Sequence, residues 1–181
     1  MVDNHDSFVY NLVQLIEEQG ADVRVIYNDM VTPKSALSFD RVVISPGPGT
    51  PLVARDRGHL LEMLENDPVK TLGVCFGHQV IGYFLGSRVI RAGKLMHGQV
   101  DGILNSGGGV LRGLPQRFVA IRYHSLAIEP SDRVVVDAVA ESDGTVMAFH
   151  STDGRFMGVQ FHPESYYSEH GSDIIRNFLG D

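Results

Sequence analysis

The stretch "TLGVCFGHQVIGYFLG", residues 71–86, shows the fold in miniature. "TLGV" is an apolar run, typical of a strand buried on both faces. "HQVIGYFLG" (78–86) reads as a helix that Gly86 ends. Between them stands Cys75, flanked by Gly73 and Gly77, in a turn too short for anything but a direct strand-to-helix connection. Repeated along the chain, strand–turn–helix units of this kind argue for a mostly parallel sheet covered by helices.

Upstream, "RVVIS" (41–45) is a second apolar, β-branched run, and "PGPGTP" (46–51) after it must be a loop. "GHLLEMLEN" (58–66) is helical, and "DVRVIY" (22–27) reads as a strand. "SFVYNLVQLIEEQG" (7–20) is an amphipathic helix with Phe8, Leu12, Leu15 and Ile16 on one face, Asp6 at its start and Gly20 at its end. This alternation predicts an α/β fold, a mostly parallel central sheet flanked by helices. After about residue 87 the pattern changes. "RFVAIRY", "RVVVDAVAE", "TVMAFH" and "RFMGVQF" read as strands, and the turns "SDGT" and "TDGR" mark hairpins. Added antiparallel strands in the second half follow, then a short closing helix "GSDIIRNFL". "GGG" (107–109) reads as a flexible turn. No linker or repeat divides the chain, so residues 1–181 are expected to form a single domain.

Composition narrows the function classes. Hydrophobic residues are 43% and charged residues 20%, ordinary for a globular domain. The formal net charge is −7 with no Lys/Arg cluster, which argues against nucleic acid as a partner. No apolar run approaches the ~20 residues of a membrane span, and no secretory signal is visible. Cys75 is the only cysteine, which excludes an internal disulfide and fits a reducing cytoplasm. Metal binding is not expected: no two histidines stand four apart on a helix and there is no thiolate cluster.

The chemistry centres on Cys75. Gly-x-Cys-x-Gly between strand and helix has the form of a nucleophile elbow. The elbow lifts its side chain into the crevice at the carboxyl ends of the parallel strands. The following helix aims its N-terminus at the sulfur, a field that favours thiolate over thiol. A lone cysteine is more often a small buried hydrophobe, and it is the two glycines and the strand–helix junction that favour the nucleophile. A thiolate nucleophile needs a base and a group to orient that base. Among eight histidines, His162 in "GVQFHPES" (158–165) follows an apolar strand. Pro163 biases it toward extended backbone, where Glu164 points the same way. One imidazole nitrogen can then meet Glu164 while the other faces Cys75. A surface His and Glu in a loop is the plain alternative. "SPGPGTP" (45–51) follows a neighbouring strand and can reach the same crevice. Pro48 lacks an N–H and no Gly-Lys-Ser/Thr follows, so an oxyanion hole fits better than a phosphate site. A simple surface turn is the alternative there.

In that order, "ISPGPGTP", "GVCFGHQ" and "VQFHPES" resemble the class I glutamine amidotransferases. "DNHDSFVYNL", "LMHG" (95–98) and "RYHSL" (122–126) narrow the resemblance to the glutaminase subunits of anthranilate synthase and 4-amino-4-deoxychorismate synthase. The resemblance implies that Cys75 attacks the side-chain amide of L-glutamine, His162 transfers protons and Glu164 orients His162. It implies oxyanion donors at Gly47 and Phe76, and glutamine contacts from Gly47, Pro48, Gly49, Gln79, Ser125 and Leu126. It also implies that the partner is a chorismate-using synthase large subunit, with His97 toward that partner and ammonia as the product passed on. No cofactor is implied in this chain, magnesium belonging to the partner. One small subunit serving both synthases is a further implied possibility.

Two features depart from the family pattern. Phe76 stands where a leucine is usual, which changes a pocket wall but not the backbone N–H. Only Met1 and Val2 precede Asp3, so a very short first strand is expected. Two competing readings are a free-standing cysteine hydrolase and a catalytically silent partner-binding subunit. "LMHG" and "DNHDSF" argue against the first, and the complete Cys-His-Glu set against the second.

Overall fold

The computed structural model describes residues 1–66 and 69–180. Along the chain run β1 (Val2–Asp3), α1 (Val9–Glu17), β2 (Ile26–Tyr27), β3 (Arg41–Ile44), α2 (Ala54–Arg57), α3 (Leu60–Glu65), β4 (Lys70–Val74) and α4 (Phe76–Phe84). Then follow β5 (Arg88–Asn105), β6 (Arg117–Glu129), β7 (Val134–Ala140), β8 (Val146–Ser151), β9 (Phe156–Val159) and α5 (Gly171–Gly180). Short 3₁₀ turns lie at Ala36–Ser38 and Gly109–Leu111. The strands form one mixed sheet, ordered β2-β1-β3-β4-β9-β8-β7-β5-β6. The pairs from β2 through to β9 are parallel, and those from β9 through to β6 are antiparallel. The α/β class with antiparallel additions in the second half is therefore the observed architecture.

The continuous apolar runs have a plain cause. Along β3, Val43 packs with Leu12, Ile16 and Phe178 of α1 and α5, while Val42 and Ile44 pack with Leu60, Met63 and Leu64 of α3. Both faces of the strand are buried, so no polar alternation survives. α4 joins α3 on the second face through Val80 and Ile81. Among the described residues no helix is long and apolar enough to cross a membrane.

Several local expectations change in the folded chain. α1 starts at Val9, and Phe8 is left 68% exposed, so the buried stripe is Val9, Leu12, Val13 and Ile16. Asp6 does sit at the helix start, where its carboxylate accepts from the Phe8 N–H at 3.2 Å. Of "DVRVIY" only Ile26–Tyr27 is strand, paired with Val2 and Asp3 of β1. β5 was not visible in the sequence: its eighteen residues include Gly93 and Gly98 and are mostly exposed, which hides the strand period. In "GGG", Gly107 is open to solvent space while Gly108 and Gly109 are packed against Asp137. A Cβ on Gly108 would fall 1.9 Å from Asp137 Oδ1, and the same carboxylate binds His150 Nδ1 at 2.8 Å.

The sheet's outer edge at β6 is not left open. Residues 162–169 run alongside it: the His162 N–H donates to Ile121 O at 3.3 Å, and Glu169 N–H to Val119 O at 2.9 Å. Glu169 Oε2 and Ser168 Oγ accept from the N–H groups of Val119 and Ile121. Covering the edge blocks strand addition and ties the His162 segment to β6.

Candidate active site

The parallel strands β1, β3, β4 and β9 all end at one edge, and the sequence-predicted residues follow those ends. Cys75 follows β4 with φ +51°, a strained value for a side chain that is not glycine. The turn is held by the Cys75 N–H donating to Val159 O at 2.8 Å. The flanking glycines are steric necessities. A Cβ on Gly73 would lie 2.3 Å from the Gly77 backbone, and one on Gly77 would lie 2.3 Å from Ile44 O. The elbow is thus wedged between its own helix and β3.

The loop after β3 is fixed from below by buried amides. Asn4 donates through Nδ2 to Ser45 O at 2.8 Å, and its N–H donates to Ser45 Oγ at 2.9 Å. Asn28 Nδ2 donates to Asn4 Oδ1 at 3.0 Å and to Asp56 O at 2.9 Å. A Cβ on Gly47 would meet Asn4 Cβ at 2.5 Å, so only glycine lets the loop settle onto this support. Gly47, Pro48 and Gly49 then line one side of a cleft of about 180 Å³, opposite Tyr123, His124, Ser125 and Leu126. Cys75, Phe76 and Gln79 form its floor, and His97 stands on its rim. At the first position of α4 the Phe76 N–H has no intrahelical acceptor. A larger groove of about 1180 Å³, lined by Ile16, Val43 and Phe178 among others, shares no lining residue with this cleft.

His162 and Glu164 are brought together as expected. His162 Nδ1 lies 2.6 Å from Glu164 Oε1, and both side chains are largely buried, 14% and 6% exposed. Tyr123 covers the imidazole edge-on, with ring centroids 5.3 Å apart. His162 Nε2 is buried with no hydrogen bond of standard geometry. Burial disfavours the imidazolium, but the charge of the Cys75 sulfur and then Glu164 outweigh it, and the His162 pKa rises well above 6.5.

Among the predicted binding residues, the structure separates backbone roles. β6 is in register with β5 at Leu126↔Arg91 and at His124↔Met96, so four residues of β5 bulge out opposite Ser125 alone. The bulge takes Ser125 out of the ladder beside the cleft. The Leu126 carbonyl is already occupied: it accepts from Gln79 Nε2 at 3.2 Å and bonds His124 Nδ1 at 2.8 Å. Gln79 Nε2 also donates to Gln160 Oε1 at 3.1 Å, so only the Gln79 carbonyl oxygen is left for the cleft. His97 is a strand residue of β5, paired with Tyr123, not a loop histidine.

Two polar residues under the site escaped the sequence reading. Gln160, 0% exposed, donates through Nε2 to Cys75 Sγ at 3.6 Å. Arg122, also 0% exposed, donates to Asp101 at 2.5 Å, to Asp143 at 3.0 Å and through Nε to His124 Nε2 at 3.0 Å. The last bond makes Nε2 an acceptor and places the His124 proton on Nδ1, facing Leu126 O. The available signal was a charged or amide residue inside an otherwise apolar strand run.

Two further histidines are held neutral. Burial pushes His78 down to about 3, its ring packed against Phe149. Burial, and next the Arg122 charge, push His124 down to about 4. Both are near 6.5 in the unfolded chain, which therefore binds more protons than the fold below that pH. Their contribution is complete above pH 6.5 and declines on acidification, by about 1.4 kcal/mol per pH unit for each histidine. His162 shifts the other way, so its contribution is complete below 6.5 and is lost on the alkaline side. Urea unfolding free energy is expected to fall steeply between about pH 6 and 5. A flat profile there would mean that neither His78 nor His124 is buried neutral.

Comparison with known proteins identifies the family. The family described as Glutamine amidotransferase class-I matches residues 1–181. The chain is 49% identical to anthranilate synthase component 2 of Thermus thermophilus, over 100% of this chain and 91% of that protein. It is 41% identical to aminodeoxychorismate synthase component 2 of Escherichia coli, over 99% of this chain and 97% of that one. A solved structure from Thermoplasma acidophilum, provisionally assigned to GMP synthase, superposes with a TM-score of 0.90 at 25% identity, covering 99% of this chain and 90% of that chain.

Proposed function

The chain belongs to the class I glutamine amidotransferase family, and on that premise we propose that Cys75, His162 and Glu164 act as a triad that hydrolyses L-glutamine and releases ammonia to a chorismate-using synthase. The carrying observation is Cys75 at φ +51° on the elbow, with the His162–Glu164 pair buried beside it.

His162 takes the thiol proton of Cys75, the sulfur attacks the side-chain amide carbon of glutamine, and the carbonyl oxygen gains the negative charge. The N–H groups of Gly47 and Phe76 receive that charge, each such donor contributing roughly 3 kcal/mol in comparable sites. The C–N bond breaks as His162 gives its proton to the departing ammonia. Neutral His162 then takes a proton from water, which attacks the thioester, and glutamate leaves as the thiolate is restored. Glu164 holds the imidazole and stabilises its cationic form. Gln79 Oε1 accepts from a donor group of the substrate, and Ser125, outside the β-ladder, offers its backbone. Pro48 and Gly49 supply the wall.

Anthranilate synthase is the assignment supported by the 49% identity to component 2 of Thermus thermophilus. Service to aminodeoxychorismate synthase is the second reading, favoured by 41% identity to the Escherichia coli component. The position of His97 on the cleft rim and on the exposed β5 supports a role toward the synthase in both readings. Glutaminase rate measured against the concentration of each synthase tests the scheme. The cognate synthase is expected to raise the rate about 10²-fold, the effect of completing one oxyanion donor. His97→Ala is expected to weaken that response. Full rate in the free chain would rule out partner stimulation, and an unchanged curve in His97→Ala would remove that residue from the interface.

A further inference from the structure

The geometry points to Gln160 as a further catalytic residue, whose carboxamide N–H donates to the Cys75 sulfur and stabilises it as an anion. The proposal rests on Cys75 being the nucleophile.

Gln160 follows β9 directly and its backbone N–H is tied to Met147 O at 2.8 Å, so its position is set by the sheet. It lies between Val159 and Phe161, each 0% exposed. A primary amide in such surroundings is costly unless both ends are bonded. Both ends are. Oε1 accepts from Gln79, and Nε2 reaches Cys75 Sγ at 3.6 Å, a distance suited to a sulfur acceptor.

The direction of the amide is forced. The Leu126 carbonyl can only accept, and it turns the Gln79 NH₂ toward itself. The same NH₂ donates its second proton to Gln160 Oε1. Gln160 must then present its own NH₂ to the sulfur. The Leu126 carbonyl is itself positioned by His124 Nδ1–H, and the His124 tautomer is set by Arg122, held by Asp101 and Asp143. A single line of hydrogen bonds therefore runs from the buried ion pairs of Arg122 to the nucleophile. A donor at the sulfur favours the anion before attack, and again when sulfur leaves as the thioester is hydrolysed. Gln160 acts on sulfur, Gly47 and Phe76 on the oxyanion, and His162 on the moving proton.

Gln160→Met keeps the side-chain length and removes the donor. Gln160→Glu keeps the shape and turns an acceptor to the sulfur. In the full-length chain without glutamine or partner, iodoacetamide alkylation of Cys75 near neutral pH is expected to slow about tenfold in both, the effect of one hydrogen bond to a charged acceptor. The pH profile of alkylation is expected to move to higher pH. In the complex, kcat for glutamine is expected to fall about ten- to a hundredfold with KM within about threefold, as for a bond that matters at the reacting atom. In the unaltered protein, the side-chain NH₂ resonances of Gln160 are expected to shift with Cys75 ionisation and to stop shifting once Cys75 is alkylated. Wild-type alkylation profiles in both variants would overturn the proposal. So would a lower kcat with an unmoved profile, since a purely structural role predicts that result. Gln160 resonances indifferent to alkylation would overturn it even where a variant fails to fold. Survival of glutamine-dependent turnover in Cys75→Ala would instead remove the nucleophile on which the proposal stands.

Discussion

Cys75→Ala is expected to lower glutamine-dependent synthesis in the complex by roughly 10⁴-fold or more, the scale of losing a covalent nucleophile. Ammonia-dependent synthesis is expected to stay at the wild-type rate, because the partner's own site is untouched. The substitution is a fair test of chemistry. Cys75 sits at φ +51°, and alanine carries the same Cβ into that conformation, so the backbone strain is unchanged. The lost sulfur leaves a small cavity at a 6% exposed position, a cost of about 1 kcal/mol. The glycines at 73 and 77 still hold the elbow. Parallel assays with glutamine and with ammonium salt measure both arms. Glutamine-dependent turnover that survives would refute the assignment of the nucleophile, and loss of both arms would mean that the complex itself had failed.

His162→Ala comes next in size, with an expected loss of about 10²–10⁴-fold in kcat/KM, the range of general acid–base catalysis. Glu164→Ala is expected to cost less, about ten- to a hundredfold, the worth of one charge-assisted hydrogen bond. The ordering follows from the geometry: His162 carries protons, while Glu164 touches only Nδ1, at 2.6 Å. A qualitative difference accompanies the sizes. Glu164 helps to hold the imidazolium well above its ordinary pKa, so removing it lets His162 lose its proton at lower pH. The alkaline limb of the pH–rate profile should move toward neutrality in Glu164→Ala. Steady-state kinetics across pH on both variants decide the matter. Small and equal losses would take the pair out of the mechanism.

Much of this site was legible because its logic is local. Gly73, Cys75 and Gly77 announce a strand–turn–helix junction by spacing alone, and the backbone contacts at 2.3 Å show why no other residue fits beside the cysteine. His162 and Glu164 are two apart across a proline, which is enough to turn both the same way. The runs at 41–45 and 71–74 are apolar at every position because helices cover both faces of the sheet. Short-range rules failed where length or exposure weakened the pattern. β5 is exposed along most of its length, so burial imprints no period on it, and of "DVRVIY" only Ile26–Tyr27 pairs with β1.

The amino-acid sequence by itself determined the α/β alternation, the elbow and the candidate residues Cys75, His162 and Glu164, and its motifs carried the resemblance to the family. The alternation, the elbow and the His162–Glu164 pair depend on steric and hydrogen-bonding preferences acting over a few residues. Only the tertiary structure decided which polar groups are already spent. Leu126 lies far along the chain from Gln79 and Gln160, and its carbonyl sets the direction of both amides. The bulge opposite Ser125 depends on the register of two strands, and Arg122 shows as an ion-paired core residue only once β5 and β6 meet. A side chain's donors and acceptors are known from its type, but their partners are fixed by contacts between distant segments, and those exist only in the folded chain.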